Sequence, residues 1–234
     1  LPENITQFCQ EVVKQGCDVG FIVDPDVDRL AIVCENGKPF VEEYTLVSVA
    51  DYVLSHTPGT TVSNMSSTKA LRDVTEARGQ RYFASAVGEV NVVEKMKQEN
   101  AVIGGEGNGG VIYPELHYGR DALVGIALFL SLLAKSGKTC SALRASYPNY
   151  EISKNKMELT PEMNVDLILE KMAKKYADCE VLTTDGVKIM FKDEWVHLRK
   201  SNTEPIIRIY SESRDMAAAN ALATKIMNEI KQLL

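Results

Sequence analysis

The chain has 234 residues, 45% apolar and 25% charged, the balance of a globular protein with one large or two modest domains. Its 26 Lys and Arg against 32 Asp and Glu leave a net charge of −6, which lacks the basic excess of a nucleic-acid binder. No apolar run approaches the roughly 18 residues of a membrane span, no signal peptide is visible, and the five cysteines (9, 17, 34, 140, 179) include no CxxC pair. The expectation is a cytoplasmic protein with free thiols and with neither nucleic acid nor membrane as partner.

Ile5, Phe8, Cys9, Val12 and Val13 recur at helical spacing, and Gly16 stops the run, so the chain opens on a helix. The start at Leu1-Pro2-Glu3-Asn4, without Met, suggests a fragment. Val19–Val23 and Leu30–Cys34 read as strands separated by a polar loop, with Asn36-Gly37 as a turn before residues 38–41. Helices follow at about 44–54, 68–78, 91–97 and 120–134, with strands at 61–63, 81–85 and 101–103 between them. The last strand runs into a glycine-rich loop, 104–110. Strand and helix in alternation mean an α/β layer structure. Lys135 to Asn149 is the expected domain boundary. Beyond it come a strand at 150–159, a helix with Thr160 as cap and Pro161 at its first position, strands from Gly186 to Leu198 and from Pro205 to Tyr210, and a last helix opened by Asp215. The expected fold is therefore α/β: the end of one α/β domain, a complete α/β domain with a mixed sheet, and a C-terminal α+β domain.

Three segments carry chemistry. In Asp24-Pro25-Asp26-Val27-Asp28-Arg29 three carboxylates stand at alternate positions, and in a near-extended loop they share a face. Their mutual repulsion calls for a divalent cation, and Mg²⁺ takes hard oxygen ligands. An EF-hand also spaces Asp at 1, 3 and 5, but it needs Gly where Arg29 stands. A phosphatase of the haloacid dehalogenase type would make Asp24 the nucleophile and Asp26 the acid/base, with Asp28 in the place of its Thr or Val. Gly104 to Gly110 has neither the Gly-Lys-Ser/Thr of a P-loop nor GxGxxG before a helix; its polar tips, Glu106 and Asn108, suit paired sugar hydroxyls. Arg199-Lys200-Ser201-Asn202-Thr203-Glu204-Pro205, with Arg208, gathers the hydroxyl, amide and guanidinium donors that grip a phosphate.

Together these segments resemble the α-D-phosphohexomutase superfamily, whose metal loop is commonly DGDxDR, whose sugar loop is GEMSGH or GEQSGH and whose phosphate loop is RxSNTEP. Order and spacing agree along essentially the whole chain. The resemblance implies Mg²⁺ on Asp24, Asp26 and Asp28, and Arg29 as the catalytic residue that positions the phosphoryl group. It also implies sugar hydroxyls on Glu106 and Asn108, and the non-transferred phosphate on Arg199, Ser201, Asn202, Thr203 and Arg208. Residues 1–41 would end the second of four mutase domains, 42–145 would be the third and 146–234 the fourth. The implied activity interconverts hexose or hexosamine 1- and 6-phosphates through a phosphoserine and a bisphosphate, as in phosphoglucosamine mutase or phosphoglucomutase/phosphomannomutase. The family's Thr-x-Ser-His nucleophile motif is absent, so the expected partner is the missing N-terminal part of the enzyme, and the chain alone is expected to be inactive. The alternatives are a non-catalytic sugar-phosphate-binding fragment and an aspartyl phosphatase using Asp24. Two positions depart from the family pattern: Gly110 stands where many members have His, and Ala86 stands where many have Lys.

Overall fold

A computed structural model describes residues 2–158, 164–201 and 204–233. It divides into two compact units, 1–148 and 149–234.

In the first unit, α1 (Pro2–Lys14) ends before Gly16, whose φ of +64° only glycine adopts without strain. Strands β1 (Val19–Val23) and β2 (Leu30–Cys34) pair antiparallel, Val23 opposite Leu30, so residues 24–29 form the connecting turn. The next element, α2 (Glu42–Leu54), buries every residue from Tyr44 to Ala50. A helix buried on all sides lies inside a core, and α2 packs against both α3 (Ala70–Ala77) and α5 (Ala122–Ser136).

The first unit's larger sheet has the order β4-β3-β5-β6. Strands β3 (Thr61–Asn64), β4 (Tyr82–Ser85) and β5 (Ile103–Glu106) are parallel, and β6 (Gly110–Ile112) returns antiparallel to β5. Helices α3 and α4 (Glu89–Glu99) make the crossovers, and α4 seats Val92 and Met96 on Val62 and Ile112. This is the expected mixed sheet. The glycine-rich stretch, however, is not a loop throughout. Its ends are strand, because Gly104–Glu106 pair with residues 110–112, and only residues 107–109 form the tip. A short helix, α6 (Cys140–Ala145), capped by Thr139, stands inside the expected boundary segment.

The second unit is antiparallel throughout, in the order β7-β11-β10-β9-β8. Its strands are β7 (Glu151–Glu158), β8 (Glu180–Leu182), β9 (Val187–Met190), β10 (Trp195–Lys200) and β11 (Ile206–Ser213). The described helix after β7 is α7 (Val165–Lys175), capped by Asn164; the expected cap at Thr160 and Pro161 lies outside the described residues. Asp215 caps α8 (Met216–Gln232) as expected, accepting a hydrogen bond from Ala218 N. Ile168, Met172, Leu222, Ile226 and Ile230 meet Val187, Ile189, Val196, Leu198, Ile207 and Ile209 on one sheet face. Each such side chain contributes about 1.5–3 kcal/mol by its burial. That face is the core face, so alternate residues of β10 and β11 point the other way. Among the described residues no helix is long and apolar enough to cross a membrane.

Candidate functional site

The aspartate turn is held by its own side chains. Asp24 Oδ1 accepts from the backbone N–H of Asp28 (3.1 Å) and of Arg29 (3.3 Å), and Val27 N donates to Asp24 O. Val27 sits at φ +56°, a left-handed conformation that is costly for a β-branched residue. Its carbonyl accepts from Ala122 N at the start of α5, which fixes the turn to that helix. A strand, β2, follows the turn, which is incompatible with an EF-hand.

Burial and the adjoining Asp24 carboxyl push Asp28's carboxyl above its ordinary value, against the pull of Arg120 and Arg29. Burial acts on Asp24 in the same sense, but hydrogen bonds from Asp28 and from the backbone N–H groups of Arg29 and Asp28 bring it below the ordinary value. Arg29 is exposed, its Nε 3.8 Å from both carboxylates. Asp26 is exposed at the tip, and among the described residues no three His, Cys, Asp or Glu side chains are gathered as a metal site. The structure therefore brings Asp24 and Asp28 together and leaves Asp26 outside the pair. Asp28 Oδ1 is buried without a hydrogen-bond partner. A buried carboxylate oxygen that has only Arg29 Nε at 3.8 Å, beside a second carboxylate, fits a divalent cation such as Mg²⁺.

The glycine hairpin lies directly on this turn. Leu30 N donates to Gly109 O (3.1 Å), and a Cβ on Gly109 would stand 2.2 Å from Leu30 O. At Gly105 a Cβ would meet Gly110 O at 2.0 Å, so side chains are excluded at both positions. Glu106 is buried and fully engaged. Its Oε1 accepts from Asn64 Nδ2 (2.7 Å) and Gly88 N (3.3 Å), and its Oε2 accepts from Arg120 Nη1 (2.5 Å) and Asn108 Nδ2 (3.5 Å). Asn108 is the exposed tip, its Oδ1 holding Gly110 N. Ser67 Oγ accepts from Gly107 N, which ties the turn after β3 to the same tip.

Arg120 joins the two motifs. Its guanidinium bonds Asp28 Oδ2 through Nη2 and Glu106 Oε2 through Nη1, with Nε 3.5 Å from Glu89 Oε2. Its backbone N–H donates to Glu89 Oε1 (2.8 Å). The side chain is only 13% exposed.

In the second unit, strand register sets the phosphate motif. Arg199 on β10 lies opposite Arg208 on β11, and Arg208 lies opposite Lys156 on β7. Directly opposed residues share a face, and like charges so placed repel. The row Arg199–Arg208–Lys156 therefore concentrates positive charge on one face of the sheet. Asp185 takes part of that charge: Arg199 Nε donates to its Oδ1 (3.0 Å) and stands 2.8 Å from its Oδ2. His197, two residues before Arg199, lies on the same face and has Nε2 2.6 Å from Asp185 O. Burial first, aided by Lys188 and Arg199 and opposed by Asp185, lowers His197 to about 4, so a neutral ring donates Nε2–H to that carbonyl. Ser201 is buried, its N–H on Ile206 O. Asn202 and Thr203 lie outside the described residues.

Two family models match in order along the chain. The model described as "Phosphoglucomutase/phosphomannomutase, alpha/beta/alpha domain III" covers residues 42–150, and "Phosphoglucomutase/phosphomannomutase, C-terminal domain" covers 156–229. The chain belongs to this family, the α-D-phosphohexomutases. It is 36% identical to a phosphoglucomutase/phosphomannomutase of Thermococcus kodakarensis over 97% of its own length and 51% of the relative's. It is 34% identical to a phosphoglucosamine/phosphogalactosamine mutase of Sulfurisphaera tokodaii over 96% of its length and 50% of that protein's. Among solved structures it superposes on a family protein of Burkholderia thailandensis with a TM-score of 0.83, at 26% identity, covering 98% of this chain and 50% of that one. An N-acetylphosphoglucosamine mutase of Aspergillus fumigatus, solved with GlcNAc-6P and magnesium, shares the fold at a TM-score of 0.64 and 14% identity, covering 89% of this chain and 51% of that one. The chain spans about half the length of the curated relatives it matches.

Sequence reasoning did not name Asn64, Gly88, Arg120, Lys156, Asp185 and His197 among the candidate residues that the structure brings to these motifs. Each lies outside the three motifs and reaches them only through strand register or a tertiary contact. Arg120 had an available signal in the run Tyr118-Gly119-Arg120-Asp121, whose wording resembles one branch of the family, directly before the helix cap Asp121. Gly110, which stands where many members of the family have His, lies against the stem of Arg120: a Cβ on Gly110 would stand 2.4 Å from Arg120 Cδ.

Proposed function

We propose that this chain is the metal-, sugar- and phosphate-binding part of a mutase that interconverts hexose or hexosamine 1- and 6-phosphates through a phosphoserine and a bisphosphate. One observation carries the reading: the aspartate turn and the glycine hairpin, remote in sequence, are joined by the Leu30–Gly109 hydrogen bond and by Arg120 between Asp28 and Glu106. In this reading residues 1–41 end the second mutase domain, 42–145 form the third and 146–234 the fourth. The compartment assigned is the cytoplasm, which suits five free cysteines.

Asp24 and Asp28 would hold Mg²⁺, and Asp26, exposed at the tip outside that pair, would be its third carboxylate. When bound, the ion supplies charge neutralisation to the transferring phosphoryl group, which needs mainly positioning and electrostatic support. Arg29, exposed beside the two carboxylates, orients a phosphoryl oxygen. Asn108 presents donor and acceptor to the sugar. Glu106, with all its contacts occupied, meets a hydroxyl by exchanging a weaker donor, the Asn108 amide at 3.5 Å. Arg199, Arg208, Ser201 and Lys156, with Asn202 and Thr203, hold the phosphate that is not being transferred. The ligand must be gripped in two orientations, and a general phosphate cradle permits both. The nucleophilic serine comes from an N-terminal part, so the chain alone does not turn over.

The test is an assay with glucose, mannose and glucosamine phosphates and Mg²⁺, run on the chain alone and with the N-terminal half of the Thermococcus relative added. Sugar-phosphate binding by the chain, with isomerisation only after the addition, is the expected result. Release of inorganic phosphate by the chain alone, abolished by Asp24→Asn, would replace the mutase reading with the aspartyl phosphatase.

A further inference from the structure

We infer that Arg120 is a positioning residue that makes cation binding at the aspartate turn and sugar-phosphate binding at the glycine hairpin one coupled equilibrium; this rests on the function proposed above. The first ground is geometry. One guanidinium contacts Asp28 on the turn, Glu106 on the hairpin and Glu89 at the start of α4, through three different nitrogens. A planar fork can hold two carboxylates in fixed directions at once, whereas a lysine ammonium is a single point of charge.

The second ground is charge. Asp28, Glu89 and Glu106 surround Arg120, and Asp24 adjoins Asp28, so four carboxylates face two cations, Arg120 and the exposed Arg29, and the cluster keeps a surplus of negative charge. A divalent cation drawn to Asp28 competes with Arg120 for that carboxylate. With a cation on Asp28, Nη2 would be released and the guanidinium would keep Glu106 and Glu89. The state of the turn is thereby felt at the carboxylate that meets the sugar.

The third ground is steric. In its present rotamer Arg120 passes over position 110, where a Cβ would stand 2.4 Å from its Cδ and 3.1 Å from its Cγ and would force the stem to shift. Gly110 and Arg120 are one device, so a substitution at either position should uncouple the two loops.

The test measures the dissociation constant of glucose 6-phosphate from the 234-residue chain by calorimetry, without Mg²⁺ and at saturating Mg²⁺. In the wild type Mg²⁺ should change the affinity for glucose 6-phosphate about fivefold or more, and glucose 6-phosphate should change the Mg²⁺ affinity by the same factor and in the same sense, because coupling is reciprocal. In Arg120→Lys, and in Gly110→Ala with Arg120 kept, that ratio should fall to near one, with folding followed by circular dichroism. A residue serving structure alone would shift melting temperature and leave the ratio unchanged. Two variants keep the test open if one fails to fold, and the wild-type ratio stands without either. Binding of both ligands with a ratio near one in the wild type, or a full ratio in the folded variants, overturns the inference and leaves the mutase reading standing. A wild-type chain that binds neither ligand removes both.

Discussion

Gly109→Ala measures how closely the glycine hairpin is fitted to the aspartate turn. Gly109 has φ +86°, and an added Cβ would stand 2.2 Å from Leu30 O and 2.9 Å from both Leu30 C and Leu30 N. These are backbone atoms of a strand whose Leu30 side chain is fully buried, so nothing swings aside. An alanine held at positive φ costs about 1–2 kcal/mol. Moving the tip to relieve the overlap breaks the Leu30–Gly109 hydrogen bond, about 1 kcal/mol more. The lower conformational freedom of the unfolded chain returns about 0.4–1 kcal/mol, and distortion of the hairpin adds to the loss, for a net cost of about 2–4 kcal/mol. At about 2–4 °C per kcal/mol the melting point falls by roughly 4–16 °C.

Gly79→Ala is the control. Its φ is +70° and no atom lies within 4 Å of the added Cβ, so it carries the conformational cost alone, about 1 kcal/mol. Urea unfolding followed by far-ultraviolet circular dichroism gives both values. Trp195, the sole tryptophan, lies in the second unit, and its fluorescence midpoint should be unchanged in either variant. A Gly109→Ala loss no larger than that of Gly79→Ala would refute the close contact between turn and hairpin.

Two further outcomes are expected. His197 is held at about 4 in the folded chain against 6.5 in the unfolded one, so the unfolded state takes up the proton first as pH falls. Its stabilising contribution is complete above about pH 6.5, declines through the window and levels below about pH 4, a change of about 3 kcal/mol. Trp195 fluorescence in urea at pH 7 and 4.5 should show this loss in the wild type and not in His197→Gln; a wild-type-minus-variant difference that stays flat across the window would contradict it. Val27→Gly removes a β-branched residue from φ +56° and should raise stability by about 1 kcal/mol, strain relief of about 1–3 kcal/mol exceeding the entropy cost of glycine. A fall in melting temperature would show that the turn is unstrained.

Much of the fold was legible because its signals are local. Helical spacing marked α1, Asn36-Gly37 marked a turn, and Asp215 and Gly79 marked helix ends; all four stand where their chemistry places them. Other elements escaped. The ends of the glycine stretch are strands although glycine disfavours strands, because β6 needs backbone room against β5 that a side chain would fill. Helix α6 is too short for its periodicity to show, and it is held in part from afar, by Glu35 accepting from Ser141 N.

The motifs pointed to a cation, a sugar and a phosphate from residue order alone, because binding any of these requires particular donors in short succession. Asp24 to Arg29, Glu106 and Asn108, and Arg199 to Thr203 are legible in that way. Their arrangement is not. That Asp28 and Glu106 share Arg120, that Gly110 leaves room for its stem, and that Lys156 extends the Arg199–Arg208 row are outcomes of packing and strand register. The reason is physical: donor identity lies in the covalent chain, whereas the distance between charges remote along it is set only when the strands and helices that carry them pack.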